Sequence, residues 1–248
     1  MAYLEIPGAR LWYLDSAAPG PAVVFVHPAA GTSASWQHQL PAFGAYRCVT
    51  FDLRGWAKSE PRGNSTMSDD IAALADALML DRFHLVGAAY GGFGALDFAL
   101  RFPNRLASLV LATTQGGLSE PAYVEARERT IPAAIRALPV ELRELGPSYR
   151  AENADGVARW LAIEHSAGQT RPRQQLSTEI TYAALGKLNV RTLLLAAGAD
   201  LLAPPALMRM IGAHIPGSAF SVIAEAGHSA HWERPDEWNA AVLAWLSG

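Results

Sequence analysis

Residues 83–94 read Phe83-His84-Leu85-Val86-Gly87-Ala88-Ala89-Tyr90-Gly91-Gly92-Phe93-Gly94. An apolar run ends in a glycine, two small residues and an aromatic follow, and two more glycines lead into a helical pattern. This is the outline G-x-S-x-G, in which a strand turns sharply into a helix and holds one side chain out at the tip. At the tip stands Ala89 where the pattern has serine. The stretch therefore predicts a buried strand, a strained turn and a helix, with a methyl group where an attacking oxygen is expected.

The surrounding chain repeats the same alternation. Leu4–Ile6 and Arg10–Leu14 alternate about Pro7-Gly8 and predict an opening antiparallel hairpin. Pro21–His27, Arg47–Asp52, Leu106–Thr113, Val190–Ala197 and Ala219–Ala224 are further strand-like runs. Several are continuously apolar, as in strands buried on both faces. Between them lie helical patterns: Ser35–Leu40, a helix N-capped by Ser68 with Asp69 and Asp70 in its first turn, Phe93–Arg101, Pro205–Ala213 and Pro235–Leu246. Strands alternating with helices imply an α/β fold: a mostly parallel sheet with helices on both faces. From Gln115 to about Lys187 strand patterns vanish, charges become dense, and Pro121, Pro132, Pro139, Pro147 and Pro172 punctuate short amphipathic helices. The expected organisation is a core of residues 1–114 and 188–248 with a small helical cap, 115–187, inserted in it.

Composition narrows the function. The chain has 248 residues, half of them hydrophobic and 17% charged, with a net charge of −3. No basic block points to nucleic acid, and no apolar run approaches the roughly 20 residues a membrane span needs. The N-terminal stretch, with Glu5, Pro7 and Arg10, does not read as a cleavable signal. The single cysteine, Cys48, fits a reducing, cytoplasmic setting and the role of a small core residue. The expected partner is a small molecule, with no nucleic acid and no membrane; a homodimer is the one assembly left open.

In a parallel sheet, ligands gather at the carboxyl ends of the strands. His27, Ala89, Asp200 and His228 all fall just after predicted strands, so one sheet edge receives all four. Together with Asp52-Leu53-Arg54-Gly55-Trp56-Ala57-Lys58-Ser59, Gly198-Ala199-Asp200 and Gly227-His228-Ser229-Ala230-His231-Trp232, these pieces give the chain a resemblance over essentially its whole length. It is similar to the α/β-hydrolase-fold serine hydrolases, esterases and lactonases among them. The order tip, acid, histidine is that of this fold.

The resemblance implies roles. His228 would take a proton from the nucleophile and return it to the leaving group. Asp200 would fix its tautomer and stabilise the imidazolium. The backbone N–H groups of Tyr90 and Ala29 would form the oxyanion hole, because Pro28 has no N–H to offer. The substrate expected is a small carboxylic ester, lactone or related acyl compound, with no cofactor. His27, Trp36, Trp56, Tyr123, Tyr149, Trp160, His231 and Trp232 are candidates to line the pocket, with plain packing as the rival role. His228 and His231 stand three apart, but no carboxylate–histidine cluster completes a metal site. Asp200 could alternatively cap the helix after it.

Ala89 admits three readings: a serine replaced to arrest an acyl hydrolase, a natural enzyme using His228 and Asp200 for acid–base chemistry without a covalent step, or a ligand-binding protein. A tip that had lost its purpose is expected to relax to Gly or Asn, since a β-carbon is disfavoured at positive φ. The retention of frame, base and acid favours the first.

Overall fold

The computed structural model describes all residues, Met1–Gly248. Nine strands form one sheet: β1 (Ala2–Ile6), β2 (Ala9–Asp15), β3 (Ala22–Val26), β4 (Arg47–Phe51), β5 (Glu60–Pro61), β6 (Phe83–Ala88), β7 (Leu106–Ala112), β8 (Thr192–Ala197) and β9 (Ala219–Ile223), in spatial order β1-β2-β4-β3-β6-β7-β8-β9 with β5 on the edge of β2. From β4 to β9 the pairs are parallel; β1, β2 and β5 are antiparallel. The predicted hairpin is β1–β2, with Gly8 at φ 69 in its turn. The central strands β3, β6 and β8 are buried at every residue, which is why their sequences run apolar without alternation.

Helices cover both faces. Twelve are present: α1 (Gln39–Ala42), α2 (Met67–Ala77), α3 (Gly91–Arg101), α4 (Pro121–Thr130), α5 (Ala133–Arg136), α6 (Val140–Glu144), α7 (Pro147–Glu152), α8 (Ala154–Ser166), α9 (Tyr182–Leu185), α10 (Pro205–Gly212), α11 (Ala230–Glu233) and α12 (Pro235–Ser247). On one face α2, α3 and α10 pack Ile71, Leu74, Leu96, Phe98 and Met208 against the sheet; on the other α12 brings Trp238 and Val242 to Phe25, Val86 and Leu195. Cys48 lies in this second core, and burial pushes its thiol up to about 12. None of the helices is long and apolar enough to cross a membrane.

Two local expectations are corrected. The segment from Ser35 to Leu40 is not one helix: a 3₁₀ turn over Ser33–Trp36 is capped by Thr32, and α1 follows. The cap of α2 is Thr66, whose hydroxyl accepts from the Asp69 N–H. Ser68 lies inside the helix and donates to Asp97, which also receives the N–H groups of Ser177 and Thr178. A distant acceptor thus claims the hydroxyl that local spacing assigned to capping.

Between β7 and β8 the chain forms α4 to α9 and no strand. This helical segment crosses the carboxyl ends of the strands. A small core of its own joins Leu145, Tyr149 and Trp160 to Ala30 and Trp232 of the sheet domain.

Candidate active site

The tip is held by the sheet and by close packing. Ala89 follows β6 at φ 48, and its N–H donates to the carbonyl of Ala112 at the end of β7. Such a conformation costs an alanine about 1–2 kcal/mol. Two glycines make the turn possible. A β-carbon on Gly91 would lie 2.3 Å from the Val26 carbonyl oxygen, and one on Gly87 would lie 2.7 Å from Cβ of Ala95. No larger residue fits where α3 starts against β3 and β6.

Across from the tip, Asp200 and His228 meet. His228 Nδ1 lies 2.9 and 2.8 Å from the two Asp200 carboxylate oxygens. Asp200 is itself fixed, because its Oδ1 accepts from the N–H groups of Leu202 and Ala203 at 2.7 and 2.9 Å. The capping role and the pairing with histidine therefore coexist. Both residues are buried. Burial works against the imidazolium, but the charges of Asp200 and Glu144, the Asp200 hydrogen bond and Glu233 outweigh it and raise His228 to about 9.

The tip and His228 face one cavity of about 490 Å³, bordered by Ala29, Ala89, Tyr90 and His228. The N–H groups of Ala29 and Tyr90 donate to no acceptor within the protein. The other walls come from Phe93, Gln115, Ile131 and Leu202, from Glu144, and from Arg127, Arg136, Arg143 and Arg173. Of the residues expected at the site, then, Ala89, Tyr90, Ala29 and His228 border the cavity, with Asp200 immediately behind the histidine.

The eight candidate lining residues do not border it. His27 is fully buried, accepting from the Leu53 N–H at Nε2, with Nδ1 2.8 Å from the Pro28 carbonyl; it ties the loop after β3 to the loop after β4. Trp36 packs against His231, ring centroids 4.7 Å apart and tilted, and against Trp238 in the core under α12. Burial pushes His231 down to about 3, so it is neutral. Trp56 lies one layer back, stacked on Tyr90 at 6.0 Å. Tyr123 is buried among α4 and the main core. Tyr149, Trp160 and Trp232 join the helical segment to the sheet domain, with Trp160 Nε1 donating to Ser229 and Trp232 Nε1 to the Gly156 carbonyl. Aromatic area drew the candidates, and the fold uses that area for packing.

The residues that sequence reasoning missed are charged. Glu144 ends α6 within the cavity wall, buried, with Oε2 unpartnered; burial raises its carboxyl despite His228 and Arg143. Glu233 accepts from the N–H groups of Gly146 and Gly227 at 2.9 and 3.0 Å, and burial lifts it to about 7. Only the charge density of residues 115–187 hinted at the arginines, and nothing local marked either glutamate.

With the geometry established, comparison identifies the family. Residues 23–241 match the family model described as the alpha/beta hydrolase family. The chain is 28% identical to RutD of Agrobacterium fabrum, a protein named as a carbamate hydrolase, over 92% of this chain and 94% of that one. An esterase structure from Thermogutta terrifontis superposes with a TM-score of 0.76 at 27% identity, covering 96% of this chain and 93% of that one. The enol-lactonase of Burkholderia xenovorans LB400 shares the fold over the full length of both chains, with a TM-score of 0.81 and 22% identity. The chain belongs to the α/β hydrolase family.

Proposed function

We propose that this α/β hydrolase is built to hydrolyse a small carboxylic ester, lactone or related acyl substrate by Ser–His–Asp chemistry, and that Ala89 occupies the nucleophile's position, arresting the reaction. The observation that carries this reading is the hydrogen-bonded Asp200–His228 pair sharing one cavity with the Ala89 methyl group and two unengaged backbone N–H groups. With serine at 89, neutral His228 accepts its proton through Nε2, since Nδ1 is held by Asp200. The substrate carbonyl develops negative charge against the N–H groups of Ala29 and Tyr90, each such donor contributing about 3 kcal/mol in comparable sites. His228 then protonates the leaving oxygen, and water enters by the same route to release the acid. The segment 115–187 acts as a cap over this site. As an alanine protein the chain binds such a substrate and turns it over at no more than the residual rate of a site lacking one triad member.

A second reading has one observation in its favour. Glu144 is a second buried carboxyl in the same cavity, close enough to His228 to raise its proton affinity. A base and an acid are thus present without a nucleophile, as proton-transfer chemistry on a bound substrate requires.

One experiment addresses both. Ala89 and Ala89→Ser proteins are assayed on activated esters and lactones. Burst kinetics and turnover confined to the serine form, with labelling by a serine-directed phosphonate, are expected. Equal inactivity and no labelling refute the hydrolase reading. Turnover by the alanine form that disappears in His228→Ala establishes the second.

A further inference from the structure

We propose that the cavity selects substrates bearing a carboxylate in addition to the scissile acyl group, and that Arg127 and Arg143, flanked by Arg136 and Arg173, hold it. The inference deepens the hydrolase reading and rests on it only for the position of the acyl group.

Four arginines border a single small cavity in a chain whose net charge is −3. Elsewhere most arginines are engaged, the exceptions being Arg159 and Arg209, the latter lying over the Phe220 ring. Arg47 pairs with Asp15, Arg54 with Asp70 and Arg171 with Glu164, while Arg82 and Arg150 donate to backbone carbonyls. At the cavity the pattern reverses. Arg127, Arg136 and Arg173 take part in no ion pair or hydrogen bond through their side chains; Arg173 only overlies the Tyr90 ring at 5.4 Å. The Nε of Arg127 is buried and unpartnered. A buried donor of this kind is costly unless something accepts from it, and a planar carboxylate matches a guanidinium in two parallel hydrogen bonds. Arg143 donates to the Arg136 carbonyl and stands 3.9 Å from Glu144, too far for a hydrogen bond. Its remaining donors are available.

Glu144 is the only acid on the cavity wall. Against this single carboxyl, whose ionisation burial disfavours, stand four guanidinium groups, so the wall carries an excess of positive charge. The four arginines come from α4, from α5, from α6 and from the stretch between α8 and α9, whereas Ala29, Ala89 and His228 sit on loops after β3, β6 and β9. The two ends of the substrate therefore meet different walls: the acyl group the sheet edge, the carboxylate the helical segment. Arg127 and Arg143 are partly buried and Arg136 and Arg173 exposed, so an Arg–carboxylate contact here is partly screened by solvent and worth about tenfold in affinity.

The test uses the Ala89 protein, which needs no turnover. Monoethyl esters of the three- to six-carbon diacids and their neutral amides, with the free carboxylate replaced by a carboxamide, are titrated calorimetrically at low and moderate salt. At least one acid ester is expected to bind about tenfold or more tighter than its amide. That preference should shrink with salt and fall about tenfold in Arg127→Gln and in Arg143→Gln. Arg127→Lys, which keeps the charge but not the fork, should retain part of it. Unchanged thermal unfolding of the variants separates lost recognition from lost fold. Equal binding of acid and amide throughout the series, binding of neither, or a preference untouched by both Gln variants overturns the proposal. If Ala89→Ser hydrolyses acid and neutral esters alike, the hydrolase reading stands and this inference falls. If it hydrolyses nothing while the Ala89 protein prefers the acids, the reverse holds.

Discussion

The Asp200–His228 pair makes a prediction that depends on neither substrate nor nucleophile. The perturbation is Asp200→Asn, which is isosteric and keeps an Oδ1 for the Leu202 and Ala203 N–H groups, so the loop after β8 retains its hydrogen bonds. What it removes is the charge opposite His228 Nδ1. A histidine raised to about 9 in the folded chain, against an ordinary 6.5, binds its proton more tightly when folded. Its contribution to stability is fully present below pH 6.5 and is lost as pH rises through 9. Linkage gives about 2–3 kcal/mol at pH 7 and well under about 1 kcal/mol at pH 9. In Asp200→Asn the ring loses its largest supporting charge, leaving only Glu144 and Glu233 to oppose burial, so its proton affinity falls and its contribution at pH 7 shrinks. The stability gap between parent and variant should therefore shrink by about 2 kcal/mol between pH 7 and pH 9. The Asp200 charge also raises Glu144 and Glu233, so both titrate lower in the variant, and the His228 resonance rather than the gap alone assigns the effect to the histidine. The assay is urea unfolding followed by fluorescence of the seven tryptophans, with the denaturant slope held common to both proteins. The His228 Cε1 proton resonance provides a direct titration. A gap that changes by less than about 0.5 kcal/mol over this range refutes the claim that Asp200 holds His228 as an imidazolium.

Three further outcomes are expected. In Ala89→Ser, kcat/KM should climb with pH and level off only near pH 9, because the base must first lose its proton; a plateau already reached at pH 6 contradicts the raised histidine. Glu233, raised to about 7 from an ordinary 4.5, contributes stability that is present below pH 4.5 and lost as pH rises through 7, so Glu233→Gln should gain about 2–3 kcal/mol relative to the parent between pH 5 and pH 8 by chemical denaturation. Thr66→Ala should cost about 1 kcal/mol, whereas Ser68→Ala should instead disturb the Asp97 network that anchors Ser177 and Thr178, and hydrogen exchange at residues 176–180 would distinguish the two.

The strands and the tip were legible because their determinants are local. Continuous apolar runs mark strands buried on both faces, and the glycines at 87 and 91 are demanded by contacts within a few residues or with the adjacent strand. The pair Asp200–His228 was legible because each follows its own strand, and parallel strands deliver their following loops to one edge. The pocket walls were not. Trp36, Trp56, Tyr123, Tyr149, Trp160 and Trp232 looked available because nothing in the sequence shows that the first packs under α12, the next two in the main core, and the last three in the seam between the helical segment and the sheet. Conversely, Arg127 or Glu144 is an ordinary residue of a polar helix until tertiary contacts place it on the wall of the cavity that His228 borders. Charge on a helix is usually solvated, and only the folded chain reveals which charges lack partners.

The same contacts bear on how the arginine wall and the base are coupled. One oxygen of Glu233 accepts from Gly146, at the start of α7, and from Gly227, next to His228. The Ser229 N–H donates to the Glu144 carbonyl, and Trp160 Nε1 donates to the Ser229 hydroxyl. Space for anything larger is absent: a β-carbon on Gly227 would come within 2.3 Å of the Gly146 nitrogen. The stretch carrying Arg143 and Glu144 is therefore stitched to the histidine loop through residues on either side of both. Displacing the helical segment would strain these bonds and shift His228 relative to Ala89, so Arg143 and His228 keep one fixed spacing. On the reading proposed above, that spacing sets the length of acyl chain the cavity accepts. Gly146→Ala, which would press its β-carbon to 2.8 Å from the Glu233 carboxylate, should lower turnover by the serine form as well as its preference among diacid monoesters. An effect on preference alone would mean that the wall and the base are independent.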